Sequence, residues 1–207
     1  MQIRKVTKAE KEVIDAVVSI HLATFEGFFL TFMGRGFLRQ MYRSYCDYPD
    51  AGLLTAFDET GKAVGFLAYA GDMSGLYCYM IKKRLPAFAW YSLGAFFRRP
   101  KIFMRLIRAV LKPGEMKREE SYIELSSIGV DPSCKSRGIG SQLIDELKKR
   151  VDLNHYVYIT LETDAENNDA VNIFYRKNGF VLVRSYETHE GRKMNEYHYR
   201  EDYHAAV

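Results

Sequence analysis

Ile128-Gly129-Val130-Asp131-Pro132-Ser133-Cys134-Lys135-Ser136-Arg137-Gly138-Ile139-Gly140-Ser141 joins two kinds of periodicity. Residues 122–130 before the turn read as a β-strand. After it, Ile139, Leu143, Ile144, Leu147 and Val151 recur at helical spacing with charged residues between them. Glycines at 138 and 140 let the backbone approach a ligand without Cβ interference. The unpaired N–H groups of the helix's first turn then favour an anion, and Lys135 and Arg137 add positive charge. The stretch reads as a cradle for a diphosphate. A dinucleotide fingerprint fits less well, although Glu162 is suitably placed. Leu143 stands where its third glycine belongs, seven residues separate Val130 from Gly138, and 69 residues follow Gly138. A Walker A loop fails for want of Gly-Lys-Ser/Thr.

Working outward, the strand's own pattern shifts. Ile123 and Leu125 share one parity, Ile128 and Val130 the other. Burial on both faces gives such a pattern, and so does a bulge near Ser126-Ser127 that resets the alternation. Further on, residues 156–161 read as a strand and 168–178 as a helix with Asn178-Gly179 as its C-cap. Residues 180–186 and 194–199 then close as a hairpin around the turn at 189–192.

Towards the N-terminus, residues 2–6 read as a first strand. Thr7-Lys8-Ala9-Glu10 has the capping-box pattern, which predicts a helix from Lys8 with Val13, Ile14, Val17 and Val18 on its buried face. Residues 35–45 read as a second helix, and 52–57 and 63–70 as a hairpin. His21 and Glu26, near the first helix's end, are expected to be ordinary core or surface residues.

The chain has 207 residues, 47% of them hydrophobic and 14% aromatic, enough to bury one domain's core. Its net charge of +4 is unevenly spread: residues 82–118 hold eleven Lys/Arg against Glu115 alone, a local +10. These residues are expected to form a basic helical insert. Lys101, Arg105, Arg108 and Lys112 share one face of its second helix, opened by Pro100 and closed at Pro113-Gly114. The insert reads as a solvated lid, as the lining of a pocket for an anionic acceptor, or as a surface for an anionic membrane. Nucleic acid is not expected as a partner, because no nucleic-acid module accompanies the charge. Cys46, Cys78 and Cys134 form no Cys-x-x-Cys pair and no metal-ligand spacing with histidine, which fits a reducing cytoplasm. No signal-peptide pattern opens the chain, and the uncharged run 85–97 is too short to span a bilayer. The expected location is the cytoplasm, with peripheral membrane contact through the insert as an addition.

Two segments together carry a resemblance. Lys135-x-x-Gly138-x-Gly140 after Val130-Asp131-Pro132 resembles the coenzyme A pyrophosphate loop of the GNAT superfamily of N-acetyltransferases. Asn168…Phe174-Tyr175-x-x-x-Gly179-Phe180 is similar to that family's second segment, about 40 residues later. The first loop position, usually Arg or Gln in the family, is Lys135. The resemblance covers the C-terminal half closely and the N-terminal half by general pattern.

It implies a single α/β (α+β) domain over residues 1–207, interrupted by the insert at about 82–118. The fold would be a mixed, largely antiparallel twisted sheet with a splayed central strand pair and flanking helices. The family's central strand carries a bulge, in agreement with the parity shift. The implied donor is acetyl-CoA. Its pantetheine arm would lie along Ile128, Gly129 and Val130, and its diphosphate over Lys135, Ser136, Arg137, Gly138, Ile139, Gly140 and Ser141. Asn168 would contact the arm, with Asn167 or Asn172 as alternatives. Tyr175 is the candidate general acid for the departing thiolate. Glu124 is the candidate base, with Glu26 and Glu162 as alternates. The implied reaction is direct attack by a primary amine of a small acceptor; the basic insert favours an anionic one, such as an amino-sugar nucleotide. Acetylation of a protein N-terminus or lysine is one alternative, and a non-catalytic CoA-binding or membrane- and anion-binding module is the other.

Overall fold

The computed structural model describes residues 1–98, 100, 120–134, 137–188 and 191–201. Seven strands form one sheet in the order β1-β2-β3-β4-β5-β7-β6. They are β1 (Gln2–Lys5), β2 (Ala51–Phe57), β3 (Ala63–Ala70), β4 (Tyr122–Val130), β5 (Tyr158–Asp164), β6 (Val181–Glu187) and β7 (Lys193–Tyr199). Neighbours are antiparallel except β4 and β5, which run parallel. This is the mixed, largely antiparallel sheet expected.

One face is covered by α1 (Lys11–Thr24), α3 (Arg35–Asp47) and the start of α4 (Met73–Arg98), with the short α2 (Phe29–Met33) between α1 and α3. Leu53, Phe66, Ala68 and Ala70 supply the sheet's side of that core. The other face packs against α5 (Ile139–Arg150) and α6 (Asp169–Lys177). Leu143, Ile144 and Leu147 of α5 are fully buried there, each contributing about 2 kcal/mol of apolar burial. β2 is buried along its whole length because both faces are covered, whereas edge strand β6 is exposed almost throughout.

Three expectations need correction. The helix predicted from Lys8 starts at Lys11. Glu10 does accept the Thr7 N–H (2.9 Å), as a capping box requires, but its other oxygen is taken by Arg4 at 2.5 Å, and residues 7–9 stay in a turn. No separate insert helix starts at 82, because α4 already runs from Met73 and continues through Pro86 to Arg98. Its start is fixed by Leu76 and Met80, which bury in the core, and by Asp72, which accepts the Gly75 N–H at 2.8 Å as an N-cap. Pro86 forgoes a bond to the Lys82 carbonyl on the exposed side, where water can replace it. β5 starts at Tyr158 and not Tyr156, whose hydroxyl instead donates to Asp50 at 2.5 Å. The second insert helix, with Lys101, Arg105, Arg108 and Lys112, lies outside the described residues.

Candidate active site

The centre of the sheet opens part-way along β4. Tyr122, Ile123 and Glu124 pair with Tyr158, Ile159 and Thr160 of β5, and the pairing stops there. On its other edge β4 stays paired with β3 as far as Val130. That ladder skips a residue: Ala68 faces Ser127 and Tyr69 faces Leu125, so Ser126 is the bulge. The parity shift in the sequence marks this extra residue.

The direction of the spare backbone groups follows from the ladder. Asp131 N–H donates to the Val64 carbonyl of β3 at 2.9 Å. Alternation along an antiparallel pair then turns the N–H and C=O of Val130 and Ile128 away from β3, into the opening beside β5. Thr24, the last residue of α1, donates its hydroxyl to the Val130 carbonyl at 3.2 Å. Gly129 faces the opposite core, where a Cβ would come within 2.8 Å of Phe66.

At the mouth of the opening stands the first turn of α5. Gly138 is its N-cap at φ 73°, a left-handed conformation, and no side chain caps the helix. The N–H groups of the first turn are thus left for a ligand, while Gln142 N–H returns to the Gly138 carbonyl at 3.1 Å. Gly140 answers to space: a Cβ there would lie 3.0 Å from the Phe174 ring of α6. Lys148 adds a second tie between the two helices, donating to the Asn178 carbonyl at 2.7 Å. Arg137 is exposed beside this turn; Lys135 and Ser136 lie outside the described residues.

Because Phe174 touches the α5 turn, its neighbour Tyr175 is held next to it and turned inward, 6% exposed among Phe180 and Tyr197. Burial pushes the Tyr175 phenol well above its ordinary pKa, so it remains a hydrogen-bond donor at any working pH. Asn168 caps α6 positionally, but its amide nitrogen donates to Thr163 Oγ1 (2.8 Å) and the Asp164 carbonyl (3.1 Å). Asn172 is buried and structural: its oxygen accepts from Asn195 and Tyr197, and its nitrogen donates to the Asp164 and Asn168 carbonyls.

Glu124 sits where the two strands part. It pairs with Ala70 of β3, so it faces the core of α1, α3 and α4. Its carboxylate is near enough to Tyr45 and Tyr77 to raise both phenols. Burial is the larger cause in each, bringing Tyr77 to about 12 and Tyr45 well above its ordinary value. Glu162 lies two residues past Thr160 on the same face of β5, accepting from the Tyr186 hydroxyl at 2.6 Å. Glu26 is exposed after α1.

The residues that sequence reasoning missed come from α3. Tyr42 lies beside Ser127 and Tyr45 beside Ser126, so two tyrosines one turn apart flank the two serines at the bulge. His21 Nδ1 and the Tyr42 hydroxyl share a bond of 2.7 Å, and His21 is a core residue as expected. The available signal was a pair of adjacent small polar residues, Ser126-Ser127, between the apolar Leu125 and Ile128 of the strand.

The family model described as acetyltransferase (GNAT) family matches residues 15–180. No curated protein matches the chain. Among solved structures, aminoglycoside 6'-acetyltransferase type Ii is similar with a TM-score of 0.63 and 15% identity, over 97% of each chain. The ribosomal-protein-alanine N-acetyltransferase of Brucella melitensis gives 0.58 at 15% identity, over 97% of this chain and 99% of that one. NAA60 of Arabidopsis thaliana, in complex with acetyl-CoA, gives 0.55 at 17% identity, over 97% and 98%.

Proposed function

The chain belongs to the GNAT family of acetyltransferases and takes acetyl-CoA as its acyl donor; from that premise we propose that it acetylates a primary amine of a small molecule by direct attack in a ternary complex. The observation that carries this reading is the parting of β4 from β5 beside the uncapped first turn of α5. The turn at 137–141 would hold the diphosphate, with Lys135 and Ser136 preceding it. Ile128, Gly129 and Val130 would hold the pantetheine arm as an added strand, with one N–H left for the developing oxyanion. Asn168 is kept for the arm, through the oxygen of its amide.

Glu124 fits the base best, because it sits where the strands part. Acting through a water, it takes a proton from the acceptor ammonium, and the neutral nitrogen then attacks the thioester carbonyl. That first proton passes through the water to solvent, which frees the carboxylate to take the second nitrogen proton as the C–S bond breaks and the amide forms; coenzyme A leaves as the thiolate and takes up a proton from solvent. Tyr175 would donate a hydrogen bond to the sulfur. Its raised pKa makes stabilisation of the thiolate the larger part of that role, ahead of full proton transfer.

The anionic-acceptor refinement rests on residues 101–118, outside the described part. In the described part of the basic run, Arg84 is held by Asp47 and Gln40. Glu124 and the phenols of Tyr45 and Tyr77 favour an acceptor that arrives as an ammonium, whatever charge the rest of it carries.

Calorimetric titration with acetyl-CoA tests the cradle: micromolar binding is expected, lost in Gly138→Asp/Gly140→Asp. An acceptor screen spanning amino-sugar nucleotides, polyamines and peptides with free N-termini tests the rest. With the acceptor in hand, Tyr175→Phe is expected to lower kcat about tenfold or more while leaving acetyl-CoA affinity intact. An unchanged kcat would remove Tyr175 from the chemistry, and no binding of any acyl-CoA would end the enzymatic reading.

A further inference from the structure

α4 is two-sided in an uncommon way. Its inner side is fastened to α3 along most of its length. Leu76 and Met80 enter the core, Arg84 pairs with Asp47, Phe88 stacks edge-on against Phe37 with centroids 4.8 Å apart, and Tyr91 lies over Gly36. That last contact is so close that a Cβ on Gly36 would fall 2.1 Å from the Tyr91 ring. The side away from α3 is apolar and open to solvent. Ile81 is 47% exposed, Leu85 54%, Leu93 45%, Trp90 70% and Phe97 76%.

A soluble helix normally turns its charged residues outward and its large apolar ones inward. Here five large apolar side chains point outward, and Lys82 and Lys83 are exposed among them. Acidic residues are missing as well: from 73 to 114 the chain carries nine Lys/Arg and no Asp/Glu. No described helix is long and apolar enough to cross a membrane. Apolar area, lysines and an outward tryptophan on one helix, with no acid to repel phosphate, are the makings of a helix that lies in a bilayer's interface.

We propose that the outward face of α4 docks the protein on an anionic lipid bilayer. Trp90, Leu93 and Phe97 enter the boundary between headgroups and acyl chains, and Lys82 and Lys83 meet lipid phosphates. Charge decides between occupants. A second copy of this chain would bring the same cationic, acid-free face against itself, whereas an anionic surface complements it. The N-terminal end of α4 reaches the candidate active site, with Met73 accepting from Ser126 at 3.4 Å and Tyr77 beside Glu124. The proposal does not depend on the acceptor or on Glu124 acting as a base.

Trp90 is the only tryptophan in the chain, so its fluorescence reports this face alone. The full-length protein is mixed with vesicles of phosphatidylcholine alone or with 30% phosphatidylglycerol, and emission and co-sedimentation are read. A blue shift and sedimentation with the anionic vesicles are expected, at least about tenfold stronger than with neutral ones and falling with salt. Leu93→Glu/Phe97→Glu should abolish both readouts while acetyl-CoA binding persists. Lys82→Ala/Lys83→Ala should weaken partition about tenfold or more. If the glutamate variant fails to fold, quenching of Trp90 by brominated lipid in the unaltered protein decides the depth. Equal partition into both vesicle types, or no quenching, overturns the proposal. So does a blue shift that appears without vesicles as protein concentration rises, which would make the face a dimer contact.

Discussion

The two halves of β4 are paired along different edges. Residues 122–124 are paired with β5, and of these Glu124 also faces Ala70 of β3, whereas 127–130 are paired, among the described strands, with β3 and not with β5. Buried backbone polar groups are nearly always paired, so a strand in mid-sheet with a free edge is waiting for a partner. The first half builds the sheet and the second half reads as a binding edge. Ser126 divides them, and Glu124 is the last carboxylate before the split. What separates structure from function here is one inserted residue, flanked by two tyrosines from another helix.

The sharpest way to break this comparison is at the dividing point. If Glu124 is the base, Glu124→Gln keeps shape and hydrogen bonding but removes the charge, and kcat is expected to fall about 10²- to 10⁴-fold. The acid limb of the pH–rate profile should vanish with it. A variant with unchanged kcat and an intact acid limb would move the role to Glu162, across the opening on β5.

The supports of the bulge offer a second, smaller break. His21 is 2% exposed, and burial lowers its pKa from the ordinary 6.5 to about 4. The unfolded chain therefore binds a proton that the folded one refuses between those values. Stability is complete above pH 6.5 and declines as pH falls towards 4, by about 3 kcal/mol in all. Urea melts of the unaltered protein should show that loss on top of the carboxylate contribution. His21→Phe should flatten the slope in that window, and a slope left unchanged would show that the imidazole is not held neutral.

Much of this was legible in the sequence, and the reason is local. Gly138 and Gly140 announce a turn with special backbone needs, and the helix after it has an unbroken 3.6 period. Even the bulge showed itself as a change of parity between Leu125 and Ile128. What stayed hidden depends on pairings between distant segments. Nothing near Tyr42 and Tyr45 says that their hydroxyls will meet Ser127 and Ser126, some 80 residues later. Glu10 looked like a capping partner because Arg4, across the turn, does not enter the motif. α4 was missed from Met73 to Ile81 because Gly75 and Pro86 weaken its propensity, whereas its real warrants are the Asp72 cap and burial of Leu76 and Met80.

The smallest test goes to the free edge itself. Proline at 130 removes one N–H, the one the ladder turns away from β3, and leaves every β3 bond of that residue pair in place. Proline is accepted in a sheet where its missing donor is not used by a neighbouring strand. Val130→Pro should therefore fold with nearly unchanged melting temperature, while acetyl-CoA binds about tenfold more weakly, the worth of one hydrogen bond to the ligand. The control is Gly129→Pro, which takes a donor from the β3 side and should cost stability first. If both variants lose stability alike, the second half of β4 is not a spare edge, and the distinction between its halves fails. If Val130→Pro binds acetyl-CoA as tightly as before, the edge is spare but the ligand does not use that donor, and the hold must come from Ile128 and the turn at 137–141.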